Sequence, residues 1–191
     1  MARRLDNRER IVTALFDLIV SGWPQPTLQE IANEAGVTSR TLLNHFPDLG
    51  ALWVATVALG RTRAASELPA IPQHQDPEQR VRLFFARATK FFDRYAALRW
   101  SAMTFKGEAQ GYMAKQRGGN VYDSIQRRVL DLLEPFDLRT RKDVELERSL
   151  LAAIDPLSWR LLRVQQGLSP AAAAASTART VLALANNARR R

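Results

Sequence analysis

Five hydrogen-bonding side chains, Ser39, Arg40, Thr41, Asn44 and His45, crowd one short segment of this chain, and Leu42 and Phe46 stand four residues apart among them. Residues four apart share a helix face, so Leu42 and Phe46 point inward together and the five polar groups are left largely outside. Hydroxyl, guanidinium, amide and imidazole groups on one helical surface can exchange hydrogen bonds with base edges or phosphates. The chemistry this pattern offers is recognition rather than bond breaking.

Catalytic chemistry has little to build on. The two histidines are His45, within that segment, and His74, between Pro72 and Pro77, and neither belongs to a metal-ligand spacing such as His-Glu-x-x-His. Cysteine is absent, so there is no thiolate nucleophile, thiolate metal site or disulfide framework, as expected of a chain kept in a reducing compartment. No glycine-rich phosphate loop and no Gly-x-Ser-x-Gly elbow occurs, and Glu145 and Glu147 read as solvated helix positions. The sequence therefore implies no enzyme, no cofactor and no bound metal.

The elements that must position the polar segment are marked by capping chemistry. Thr27 and Glu30 form a capping box, in which each side chain takes the other's orphan backbone N–H, so a helix starts at about Leu28. Ile31, Ala32 and Ala35 share its inner face, and Gly36 supplies the left-handed corner that ends it, with Val37 to anchor the turn. Thr38 caps the helix that carries the polar face. Upstream, Asp6 and Glu9 make a second box, opening a longer helix with Ile11, Ala14, Leu15, Leu18 and Ile19 on one stripe. Helix, glycine turn and polar second helix have the geometry of a helix-turn-helix whose second helix enters the major groove. The alternative is a helical hairpin with an ordinary solvated face, which would make the protein a helical adaptor that binds protein without sequence-specific DNA binding.

These residues resemble the DNA-binding head of the tetracycline-repressor (TetR/AcrR) family of bacterial transcription regulators. The resemblance runs from Arg8 to about Val57, where RERIVTALFDLIVSG, TLQEIANEAGV and TLLNHFPDLGAL fall in the family's order and spacing, and is looser beyond. It implies an all-α homodimer with a three-helix head and a variable ligand-binding body. Such a protein would be a repressor released from a palindromic operator in double-stranded DNA by a small-molecule effector. Two positions depart from the family pattern: Leu43 stands where a tyrosine is usual and Leu49 where a lysine is usual, both of which commonly touch phosphate. Arg40 replaces a frequent glycine and offers a positive contact from a different direction. The expected DNA contacts are the arm residues Arg3 and Arg4, the cap residues Thr27 and Thr38, and Ser39, Arg40, Thr41, Asn44 and His45.

A formal net charge of +9 invites a nucleic-acid reading on its own, but the charge lies in the wrong place for that. Residues 1 to 50 carry five arginines (Arg3, Arg4, Arg8, Arg10, Arg40) against six acids (Asp6, Glu9, Asp17, Glu30, Glu34, Asp48). The excess sits instead between Arg80 and Lys106, where Asp93 is the lone acid, and in Arg189, Arg190 and Arg191. Solvation of helix surfaces explains it most simply; a wider phosphate footprint or an anionic effector would use the same charges. With 191 residues, 46% of them hydrophobic, the chain suits a compact head plus one larger helical domain. No apolar run resembles a signal peptide or a membrane span, so a cytoplasmic protein with no membrane partner is expected.

The division expected is a head over residues 1–48, a connecting fourth helix over 48–66 capped by Asp48, and an effector-binding and dimerisation domain within 49–191. Beyond the broken ELPAIPQHQ segment, Asp76-Pro77, Asp155-Pro156 and Ser169-Pro170 each place a cap before a helix-opening proline. Helices are predicted at 77–96, 98–105, 108–134, 140–154, 155–166 and 170–187, about six in all, with Gly118-Gly119 inside or beside the third. No segment alternates with period two.

Nine of the 15 aromatic residues fall between Phe84 and Tyr122. Plain helical core accounts for most of these positions, but two adjacent Phe pairs on one helix, Phe84-Phe85 and Phe91-Phe92, cannot all face the same way, and a mostly apolar ligand cavity is expected there. Its lining would be Phe84, Phe91, Tyr95, Arg99, Trp100, Met103, Tyr112, Tyr122 and Gln126. The last two helices offer a stripe of Leu157, Leu161 and Val164, and an alanine-rich face with Val181 and Leu184, as a dimer interface built on close helix approach.

Overall fold

The computed structural model describes residues 6–22, 25–104, 121–136 and 143–190. Among the described residues it is all helical, with ten α-helices and no strand. They are α1 (Asn7–Val20), α2 (Leu28–Ala35), α3 (Ser39–His45), α4 (Leu49–Glu67), α5 (Pro77–Arg87), α6 (Thr89–Thr104), α7 (Val121–Leu132), α8 (Val144–Ile154), α9 (Pro156–Arg160) and α10 (Pro170–Arg190). The chain divides into two compact units, 1–66 with 97–120 and 67–96 with 121–191.

In the first unit α1 is opened by the Asp6–Glu9 box and buries Ile11, Val12, Ala14, Leu15, Phe16 and Ile19. Helix α2 lies across it with Ile31, Ala32 and Ala35 inward. Asp48 opens α4, its carboxylate accepting from the Ala51 N–H at 2.7 Å. Leu52, Trp53, Thr56, Gly60 and Ala64 are the buried positions of α4. Gly60 is needed for close approach: a Cβ there would stand 2.5 Å from Leu98 Cδ2 and 3.4 Å from the Phe16 ring, so α4 fits against α1 and the end of α6 only without a side chain. Arg63 lies over the Phe16 ring at 4.8 Å and pairs with Asp17 at 3.4 Å.

The second unit corrects the expected course of the chain. The break predicted near residue 97 falls at Ala88, whose N–H is shared between the carbonyls of Phe84 and Phe85 at 3.0 and 3.2 Å. The two Phe pairs therefore lie on separate helices, and all four rings are buried. Phe85 stacks on Phe92 with centroids 6.0 Å apart, and Phe92 on Trp159 at 5.2 Å. The Trp159 indole N–H donates to Asp93 at 2.7 Å, and Arg163 Nε donates to the same oxygen at 2.9 Å. Helix α10 packs against α5 and α8, burying Ala173, Ala174, Ala178, Val181, Leu182, Ala185 and Ala188; small side chains let it come close. The predicted 155–166 helix is α only to Arg160 and widens into a π turn over Leu161–Gln165. Of the predicted 108–134 helix, the described part is Val121–Leu132 followed by a 3₁₀ turn, Glu134–Phe136; Gly118-Gly119 lies outside the described residues.

Candidate nucleic-acid interface

The polar surface is assembled from α2, its glycine corner and α3. Thr27 accepts from the Glu30 N–H at 3.3 Å while Glu30 Oε2 accepts from the Thr27 N–H at 2.7 Å and its hydroxyl at 2.8 Å. Those bonds from Thr27, the backbone N–H first, hold the Glu30 carboxyl below its ordinary value. Gly36 ends α2 at φ 62°. Its N–H donates to Asn33 O and the Val37 N–H to Ala32 O, each at 3.0 Å, the paired bonds of a Schellman corner. Thr38 then caps α3 by accepting from the Thr41 N–H at 3.1 Å. Leu42 and Phe46 are buried, which fixes the rotation of α3 about its axis and so decides which side chains face out.

Arg40, Asn44 and His45 are exposed; Ser39 and Thr41 are half-buried and already hydrogen-bonded. Ser39 Oγ donates to Gln29 Oε1 at 3.0 Å, and Gln29 Nε2 donates to Asn33 Oδ1 at 2.8 Å. The Thr41 hydroxyl pairs with that of Thr38 at 2.9 Å. Thr27 and Thr38 are exposed caps, and Arg3 and Arg4 lie outside the described residues. Gln29 and Asn33 were missed from sequence, though their spacing of four was visible.

Two arginines counted only as charge turn out to brace the corner. Arg10 donates to Ala35 O at 2.6 Å and to Gly36 O at 3.2 Å, placing a cation on the negative end of α2. The Arg8 guanidinium lies over the Phe46 ring, 4.8 Å from its centroid. No local signal connects Arg10 to carbonyls 25 and 26 residues away.

The chain shares this architecture with known regulators. A transcriptional regulator from Rhodococcus sp. Rha1 superposes with a TM-score of 0.66 at 16% identity, over 95% of this chain and 97% of that one. A TetR-family transcriptional regulator from Streptomyces coelicolor gives 0.64 at 18% identity, over 93% of this chain and 78% of that one. The fold is that of the TetR regulators. A TetR-family regulator from Shewanella sp. PV-4 agrees at 0.52 and 18% identity, covering 96% of this chain and 98% of that one. In sequence, no family model matches the chain, and no curated protein matches it.

The residues expected to line a ligand cavity are divided between the two units. Phe84, Phe91 and Tyr95 are core residues of the second unit, Phe91 and Tyr95 in ring contact at 4.4 Å, and the Tyr95 hydroxyl donates to Glu67. Arg99, Trp100 and Met103 belong to the first unit, where Trp100 and Met103 are exposed. Gln126 spans α7 and α8 by donating to Glu147 at 3.1 Å. Tyr112 lies outside the described residues, and so does the Tyr122 side chain. Ring-to-ring packing accounts for the burial of the Phe pairs. At the expected interface Leu161 and Val164 are exposed, Leu157 and Leu184 half-buried. Val181 is a correction: it is fully buried within its own chain, because α10 turns that face to α5 and α8. No single helix among the described residues is long and apolar enough to cross a membrane.

Proposed function

We propose that the protein is a homodimeric DNA-binding transcriptional regulator of the TetR family, a repressor that leaves a palindromic operator when a small-molecule effector binds, acting in the cytoplasm and by binding rather than catalysis. The observation that carries this reading is α3: a short helix locked by Leu42 and Phe46, held at its corner by Gly36 and Arg10, with Arg40, Asn44 and His45 presented outward. A recognition helix needs that combination of fixed rotation and free polar tips, since a base contact is geometrically exacting. In this reading residues 1–48 are the head, with Arg40, Asn44 and His45 on base edges and Thr27, Thr38, Ser39 and Thr41 at the backbone. Arg3 and Arg4 reach phosphate as an arm. Residues 49–191 hold the effector and pair the two copies, for which the exposed Leu161 and Val164 are the apolar contacts.

Selection of bound duplexes from a random pool tests this directly. An inverted repeat should be enriched, and its affinity should fall steeply with salt as phosphate-bound counterions are released. Recovery of no preferred sequence would refute the reading and favour a protein-binding adaptor.

A further inference from the structure

Among the described residues of α1 to α4, Leu43 is the large apolar side chain left exposed, at 44%. It stands on the outward face of α3, and a helical side chain leans back over the residues three and four before it, here Arg40 and Ser39. Its surroundings, Ser39, Arg40, Asn44 and His45, are polar, so it is not part of an apolar patch of the size that docks a protein. Arg40, Asn44 and His45 can read base edges by hydrogen bonds, and Leu43 has only dispersion and apolar surface to offer. In the major groove the matching feature is the C5-methyl group of thymine. We propose that Leu43 is a specificity-determining residue that packs on a thymine methyl in each half-site, beside the base contacted by Arg40 or Asn44. The proposal rests on the DNA-binding reading of α3.

Replacing thymine by deoxyuracil removes that methyl group and leaves every hydrogen-bonding edge in place. The full-length protein is titrated by fluorescence anisotropy against its selected operator, with each thymine exchanged in turn. One position per half-site should weaken binding about fourfold, the transfer free energy of roughly one methyl group. The Leu43→Ala variant, whose site is exposed and whose fold is checked by circular dichroism, should bind thymine and deoxyuracil operators alike at that position. Leu43→Met, which keeps apolar surface, should retain the difference. The proposal is overturned if no thymine is sensitive, or if the sensitive position stays sensitive in Leu43→Ala. Failure of the selection to yield any preferred duplex would overturn the DNA-binding reading itself, and this proposal with it.

Discussion

Replacing Arg10 by methionine isolates the brace at the helix-turn-helix corner, because methionine keeps most of the apolar stem and removes the guanidinium. Three bonds are lost, to Ala35 O at 2.6 Å, to Gly36 O at 3.2 Å and, within α1, to Asn7 Oδ1 at 3.3 Å, together with the favourable charge at the end of α2. One charged hydrogen bond is worth about 1.5–3 kcal/mol and the helix-end charge about 0.3–1 kcal/mol. Since Arg10 is itself exposed and water can replace part of the lost contact, the expected net loss is about 1–2 kcal/mol. A second variant, Gly36→Ala, works against the same atoms. Forcing an L residue into the left-handed region costs about 1–2 kcal/mol, and the new Cβ would stand 2.7 Å from the Arg10 guanidinium nitrogen. In the Arg10→Met background that collision is gone, so the double variant should be less destabilised than the sum of the two, by about 0.5 kcal/mol or more. Urea unfolding followed by circular dichroism gives the global values, and hydrogen exchange at the Gly36 and Val37 amides gives the local ones. Additive effects, or an Arg10→Met protein with unchanged exchange at those two amides, would refute the assigned role.

Asp93→Ala should destabilise the second unit by about 1–3 kcal/mol, because the buried Trp159 N–H loses its acceptor; urea unfolding read by tryptophan fluorescence checks it. Gly60→Val should cost about 1–3 kcal/mol by overpacking against Leu98 and Phe16, and Leu98→Ala should relieve much of it in a thermal-melt double-mutant cycle. Glu30 has its pKa lowered from 4.5 in the folded protein, so the unfolded chain binds the proton more readily. The capping box therefore contributes above pH 4.5 and is lost as pH falls through the lowered value; exchange at the Glu30 amide should rise in acid for the parent and lack that step in Glu30→Gln. For assembly, Val164→Glu should yield a folded monomer by light scattering if the exposed π turn pairs two copies, whereas Val181→Asp should unfold the chain, since its charge would enter a sealed core.

Much of the first unit was legible in the sequence because its determinants are local. A capping box spans four residues, a Schellman corner needs one glycine, and the rotation of α3 follows from Leu42 and Phe46 being four apart. Each is set by backbone hydrogen bonds that close within a turn or two, so Thr27, Gly36, Thr38 and the outward polar residues could be placed without any fold in hand. What only the tertiary structure decided involves partners far apart in the chain. Arg10 finds the end of α2, Leu98 sets the space that Gly60 must leave open, and Asp93 joins Trp159 and Arg163. The break at Ala88 carries no proline or glycine; burying Phe84, Phe85, Phe91 and Phe92 together stabilises it. Val181 looked available because an alanine-rich helix has the same composition whether its close-packing face meets a second copy or its own chain. Which of the two it meets depends on where α5 and α8 lie, and no periodicity along α10 encodes that.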